Sequence, residues 1–178
     1  VLYQLPNGPF GGIENLCWSP DGRYIAYSCK KKEGKEYAFS TDTEIYIYCI
    51  LTGETTVIPM GGGYDTVPVW SPDGSKIAWL SMARDGYEAD KVRLMVADVV
   101  YEPEGEGQTA NPAVENIVDL TADFAYNADG PVWAADSKSL YFNSLVEGVQ
   151  AIYNVIADPE TAFFRITAPN LWFDFGSP

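Results

Sequence analysis

The residues that could do chemistry are conspicuous first for a gap. The 178-residue chain contains no histidine. A Ser-His-Asp or Cys-His arrangement therefore cannot be built from its own side chains. No Gly-x-Ser-x-Gly elbow occurs either. Three cysteines, Cys17, Cys29 and Cys49, include no Cys-x-x-Cys pair, so no zinc site is expected. Carboxylates are the abundant reactive type, with 25 Asp and Glu against 11 Lys and Arg. Asp21 and Asp73 lie inside identical Trp-Ser-Pro-Asp-Gly pentapeptides and read as turn residues. Asn127-Ala-Asp129-Gly130 has part of a calcium-loop spacing but lacks the first Asp and the closing Glu. It reads as a turn ahead of Trp133. Gly61-Gly62-Gly63 precedes a strand pattern, not a helix, so it is a connection and not a phosphate cradle. One segment stands apart: 84–93, Arg-Asp-Gly-Tyr-Glu-Ala-Asp-Lys-Val-Arg. Its Arg84, Glu88, Asp90 and Arg93 either form a salt-bridged cluster or face a ligand, and they are the candidate substrate-positioning residues. No catalytic residue, cofactor or metal ligand is expected in this chain.

The elements that must position this segment are set by a repeat. Trp18-Ser-Pro20-Asp21-Gly22 and Trp70-Ser-Pro72-Asp73-Gly74 are each followed, two residues later, by Ile-Ala-aromatic. An eroded third copy runs Trp133-Ala-Ala-Asp136-Ser137. Pro presets φ, Asp bonds nearby backbone and Gly accepts positive φ, so the motif is a tight turn joining two antiparallel strands. The Trp before each turn is expected to pack between neighbouring sheets. Strand patterns follow at 24–29, 44–50 and 55–58, then at 76–82, 92–99 and 117–120, then at 139–145, 150–156 and 163–167. No dozen-residue window carries a 3.6-residue stripe with start and stop signals, so helices are not expected. The basic run at Lys30, Lys31, Lys32 and Lys35 reads as a solvated loop tip, and 102–116 as a polar surface loop. Four-stranded units at this spacing indicate an all-β chain, a β-propeller fragment of about three antiparallel blades. The expected blades cover 13–60, 64–121 and 127–168 of one partial domain, 1–178. Segments 1–6 and 170–178 are assigned to flanking blades. Three blades alone leave two apolar faces bare, so homodimerisation through exposed blade faces is expected.

Bulk properties narrow the partners. A net charge of −14 repels phosphate backbones, so nucleic acid is not expected. No apolar run approaches the roughly 20 residues of a membrane span. The chain starts at Val1, without Met or a leader pattern, and reads as an excised or processed piece. Cys17, Cys29 and Cys49 fall on successive strands. With a tight turn at 19–22, Cys17 lies opposite Tyr24 and Cys49 one strand beyond. That separates Cys17 from Cys49 by roughly 9–10 Å, too far for a disulfide. Three reduced, mostly buried cysteines are expected.

The WSPDG units resemble the WD40-like repeats of TolB-type propellers. The run Trp79-Leu-Ser-Met-Ala-Arg-Asp-Gly-Tyr-Glu-Ala-Asp-Lys91, with Asp119-Leu-Thr and Tyr126-Asn-Ala-Asp-Gly-Pro-Val-Trp133, resembles the N-terminal propeller of bacterial serine peptidases of the prolyl oligopeptidase family, in the dipeptidyl-peptidase IV and acylaminoacyl-peptidase branch. That resemblance implies a C-terminal α/β-hydrolase domain as partner, short peptides as substrates, and a propeller that gates entry and helps place the substrate's N-terminus. The paired glutamates of dipeptidyl-peptidase IV have no Glu-Glu counterpart here, which leaves Glu88 as the candidate. The third unit's Ala134, Ala135 and Ser137 and the 102–116 segment depart from the pattern. A TolB-like protein-interaction module of the cell envelope is the alternative. The resemblance implies a periplasmic or extracellular protein, while three unpaired cysteines fit the cytoplasm equally well.

Overall fold

The structure, a computed structural model, describes residues 15–101 and 111–158. The strands expected at 163–167 and in segments 1–6 and 170–178 lie outside the described residues.

Three antiparallel sheets follow one another along the chain. The first contains β1 (Leu16–Trp18), β2 (Tyr24–Cys29), β3 (Glu44–Cys49) and β4 (Thr55–Val57). The second contains β5 (Tyr64–Trp70), β6 (Lys76–Met82), β7 (Arg93–Val100) and β8 (Ala113–Asp119). The third contains β9 (Asp129–Trp133), β10 (Ser139–Val146) and β11 (Val149–Ile156). Each sheet is a meander, with strands in sequence order from β1 to β4, β5 to β8 and β9 to β11.

The repeat motif makes the turns for the reasons its residues suggest. Ser19 Oγ donates to Asp21 Oδ1 at 2.6 Å, Asp21 accepts the Arg23 N–H at 3.0 Å, and Gly22 sits at φ 71°. Ser71, Asp73 and Gly74 repeat the arrangement. In the third copy Ser137 takes the glycine position at φ 60°. Its Oγ accepts the Asp73 N–H from the second sheet at 3.1 Å, which offsets part of that strain.

The second sheet is apolar on both faces because it is covered on both. Ile77, Trp79, Met95 and Ala97 pack on Tyr24, Ala26, Ile45 and Ile47 of the first sheet. Ala78, Leu80, Leu94 and Val96 pack on Trp133, Leu140, Phe142 and Val155 of the third. Trp70 and Trp133 each pack on the preceding sheet, and Trp133 Nε1 donates to Val69 O at 3.1 Å. Trp70 and Trp133 are buried, but Trp18 is 48% exposed. The expectation of a packed Trp fails there because no described sheet covers that side of the first.

Other expectations are corrected locally. A helix, α1 (Gly34–Phe39), interrupts the β2–β3 connection, and its six residues are too few to show a stripe. The basic run is not a free loop tip. Lys30 Nζ binds the carbonyls of Tyr37 and Ser40, Lys31 lies 3.7 Å from the Tyr46 ring centroid, and Lys32 pairs with Asp42 at 2.8 Å. Residues 113–116, expected in a loop, begin β8. A register shift opposite Val96–Asp98 accommodates Asn116 at φ 51°, which hides the alternation. Asp129 and Gly130 belong to β9 and not to a turn. Cys17 faces Ala26, not Tyr24, because the turn pairs Trp18 with Ile25. Cys49 does face Tyr24. All three cysteines are free, with Cys29 and Cys49 buried and Cys17 half-buried.

A cleft between two inter-strand connections

In a meander, alternate connections emerge at the same end. The β2–β3, β4–β5, β6–β7 and β8–β9 connections therefore gather at one end of the three sheets, and their contacts bear this out. Thr43 N–H donates to Gly63 O at 3.0 Å, joining the first two. Gly63 N–H donates to Asp42 Oδ1 at 3.2 Å. Here a cleft of about 460 Å³ opens. One wall is Lys30, Ala38, Phe39, Ser40 and Thr41, the other Gly86 and Glu88, with Tyr64 and Met82 at the strand ends. Phe39 is 81% exposed.

The candidate cluster at 84–93 separates into three parts. Arg84 and Asp90 pair through two hydrogen bonds, at 2.7 and 3.1 Å, and the guanidinium stacks 4.0 Å from the Tyr87 ring centroid. That bond holds the Asp90 carboxyl below its ordinary range. Arg93 does not join them. It turns back onto β6, donating to Ser81 Oγ at 3.0 Å. Glu88 lines the cleft and has no hydrogen bond or ion pair among the described residues. The four residues thus do not form one cluster.

Three residues outside the candidate set organise the same end. Asp85 accepts hydrogen bonds from Ser40 Oγ at 2.8 Å, Thr41 N–H at 2.7 Å and Asp42 N–H at 3.1 Å. The Ser40 bond leads in keeping this carboxyl low. Lys91 Nζ donates to Thr121 O at 2.8 Å and Phe124 O at 3.0 Å. Asp65, near the start of β5, is 1% exposed and faces Ser81, which in turn faces Arg93. Its backbone O accepts Ser28 Oγ at 2.6 Å and Thr43 Oγ1 at 2.8 Å, so it sits in the seam between the first two sheets. Its Oδ1 has no hydrogen-bond partner. Burial pushes the carboxyl up to about 6, with Ser81, Trp79 and Arg93 pulling back. Sequence reading passed over Asp65 because Tyr64-Asp-Thr-Val looks like any strand start. Asp85 and Lys91 carried a signal, since both lie in the run on which the family resemblance rests. Among the described residues, no three of His, Cys, Asp and Glu are grouped to hold a metal ion.

No family model matches the chain. It is 44% identical over 154 residues to dipeptidyl-peptidase 5 of Porphyromonas gingivalis, a match covering 86% of this chain and 21% of that protein. It is 30% identical over 167 residues to a probable dipeptidyl-peptidase 5 of Aspergillus flavus, covering 87% of this chain and 21% of that protein. The chain therefore spans about a fifth of the length of the curated relatives it matches. Among solved structures, TolB from Acinetobacter baumannii superposes with a TM-score of 0.55 at 17% identity, over 87% of this chain and 32% of that one. That likeness supports the β-propeller fold.

Proposed function

We propose that the chain is a segment of a peptidase-family β-propeller that gates access and positions short peptides for a serine hydrolase domain elsewhere in the parent protein. The cleft is where the peptide's N-terminal end would rest. One observation carries this reading: Glu88 borders the cleft unpaired among the described residues, while the charges around it are spent on one another, on backbone or, for Arg93, on the Ser81 hydroxyl. A peptide ammonium offers the charge-assisted partner that this carboxylate lacks. Phe39, Tyr64 and Met82 supply apolar contact for a side chain, and a cavity near 460 Å³ falls in the range of small-ligand sites. A histidine base would have to come from outside this chain, which has no histidine.

The test compares alanyl-phenylalanine with its N-acetyl form for binding to the chain by calorimetry or NMR titration. The free amine is expected to bind about tenfold more tightly, and Glu88→Gln to erase most of that preference. Equal binding of both peptides by the unsubstituted chain would count against the reading. In the full-length protein, Glu88→Gln is expected to raise KM for free-amine substrates more than it lowers kcat.

A further inference from the structure

Glu88 has no hydrogen bond or ion pair of its own among the described residues, so something else must decide where it stands. Residues 83–89 are all exposed, a setting in which a connection usually wanders. This one is tied at three places. Across its base, Arg84 and Asp90 close it through paired hydrogen bonds. Toward the first sheet, both Asp85 oxygens accept from Ser40 Oγ, and Oδ1 also accepts the Thr41 and Asp42 N–H groups. Gly86 N–H returns a bond to Thr41 Oγ1 at 2.8 Å. Toward the third sheet, the Lys91 ammonium meets the carbonyls of Thr121 and Phe124. The connection thus spans from the β2–β3 connection to the β8–β9 connection. Ser40 and Thr41 on one cleft wall are bonded to Gly86 on the other and to Asp85 beside it, so the two walls are tied to each other.

We propose that Asp85 and Lys91 are positioning residues that hold 84–91 as a rigid bracket and thereby set where Glu88 stands over the cleft. This rests on the peptide-binding reading of the cleft. Asp85 acts through geometry: without its acceptors the 40–42 turn loses three donors' partners and the two walls part. Lys91 matters for its charge and its several donors, since an ammonium can satisfy more than one carbonyl at once.

Amide hydrogen exchange and peptide binding on the whole chain test this, using Asp85→Ala, Asp85→Asn, Lys91→Met and Glu88→Gln. Asp85→Ala is expected to speed exchange at Thr41, Asp42 and Gly86 by about tenfold or more, with β6 and β7 unchanged. It is also expected to lower the preference for alanyl-phenylalanine over its N-acetyl form, as Glu88→Gln does directly. Asp85→Asn, which keeps one acceptor oxygen, should recover part of both effects, and Lys91→Met should lower the preference without touching exchange at Thr41. Unchanged exchange at Thr41 and Asp42 in Asp85→Ala would overturn the bracket. So would faster exchange with the amine preference fully kept. If the unsubstituted chain shows no amine preference, the cleft reading fails, and exchange alone then decides the bracket.

Discussion

At the residue scale, Asp65 carries the sharpest consequence for pH. Its carboxyl is held at about 6 against an ordinary 3.8, so the folded chain binds this proton more tightly than the unfolded one. Its contribution to stability therefore grows as pH falls through 6 and is complete only below the ordinary 3.8. Above 6 the buried carboxylate costs stability, up to about 3 kcal/mol for a shift of this size. Arg93 on β7 and Asp42 in the β2–β3 connection are the charges that act on it, with opposite signs. Asp65→Asn, neutral at every pH, is expected to melt higher than the unsubstituted chain at pH 8 and to match it only near pH 3, below the ordinary value of the unfolded carboxyl. Thermal unfolding followed at both values checks this, and a variant that is less stable at pH 8 would show that the carboxylate is favoured where it sits.

At the element scale, the β4–β5 connection shows what three consecutive glycines are for. Only one of them is crowded. A Cβ on Gly63 would lie 2.2 Å from Met82 O, at φ 128°. Gly61 and Gly62 have nothing within 4 Å of that position. Gly63→Ala must therefore push two backbone segments apart, and is expected to cost about 2–4 kcal/mol, whereas Gly61→Ala carries only the roughly 1 kcal/mol of its left-handed φ. Denaturant midpoints of the two variants give the comparison. The triplet reads in sequence as a loose connection. The crowding at its third position comes from Met82, on a strand the alignment of residues alone does not bring near. The same holds for α1 and the start of β8. Six helical residues are too few for a period to emerge, and Asn116 in a bulge breaks the alternation that marks a strand.

At the scale of the whole molecule, the third sheet has one face that no other described residues cover. Val132, Tyr141, Leu145, Ile152 and Ile156 are each between 45% and 63% exposed, and the strand register places them together. Val132 follows the repeat position of Val69, whose carbonyl receives the Trp133 indole in the second sheet. We propose that this face drives self-association of the isolated chain. A net charge of −14 opposes it, so association should strengthen with salt. Sedimentation at micromolar concentration is expected to show dimer or larger species that Leu145→Lys with Ile152→Lys disperses. A monomer at all salt concentrations would contradict this.

The residue types alone determined the repeat, the turns and the impossibility of a histidine-dependent triad in this chain. Those rest on local rules: turn chemistry, strand alternation and a plain absence of imidazole. The tertiary structure decided what the 84–93 segment does with its charges. Arg84 and Asp90 pair, Arg93 turns to Ser81, and Asp85 and Lys91 reach across to neighbouring connections. Sequence spacing cannot say which of several acids meets which donor, because the partners of Asp85 and Lys91 are some 30 to 45 residues away and only the stacking of sheets brings them within 3 Å. Glu88, which the family resemblance sets apart among the four candidates, is the one that the tertiary structure leaves unengaged among the described residues.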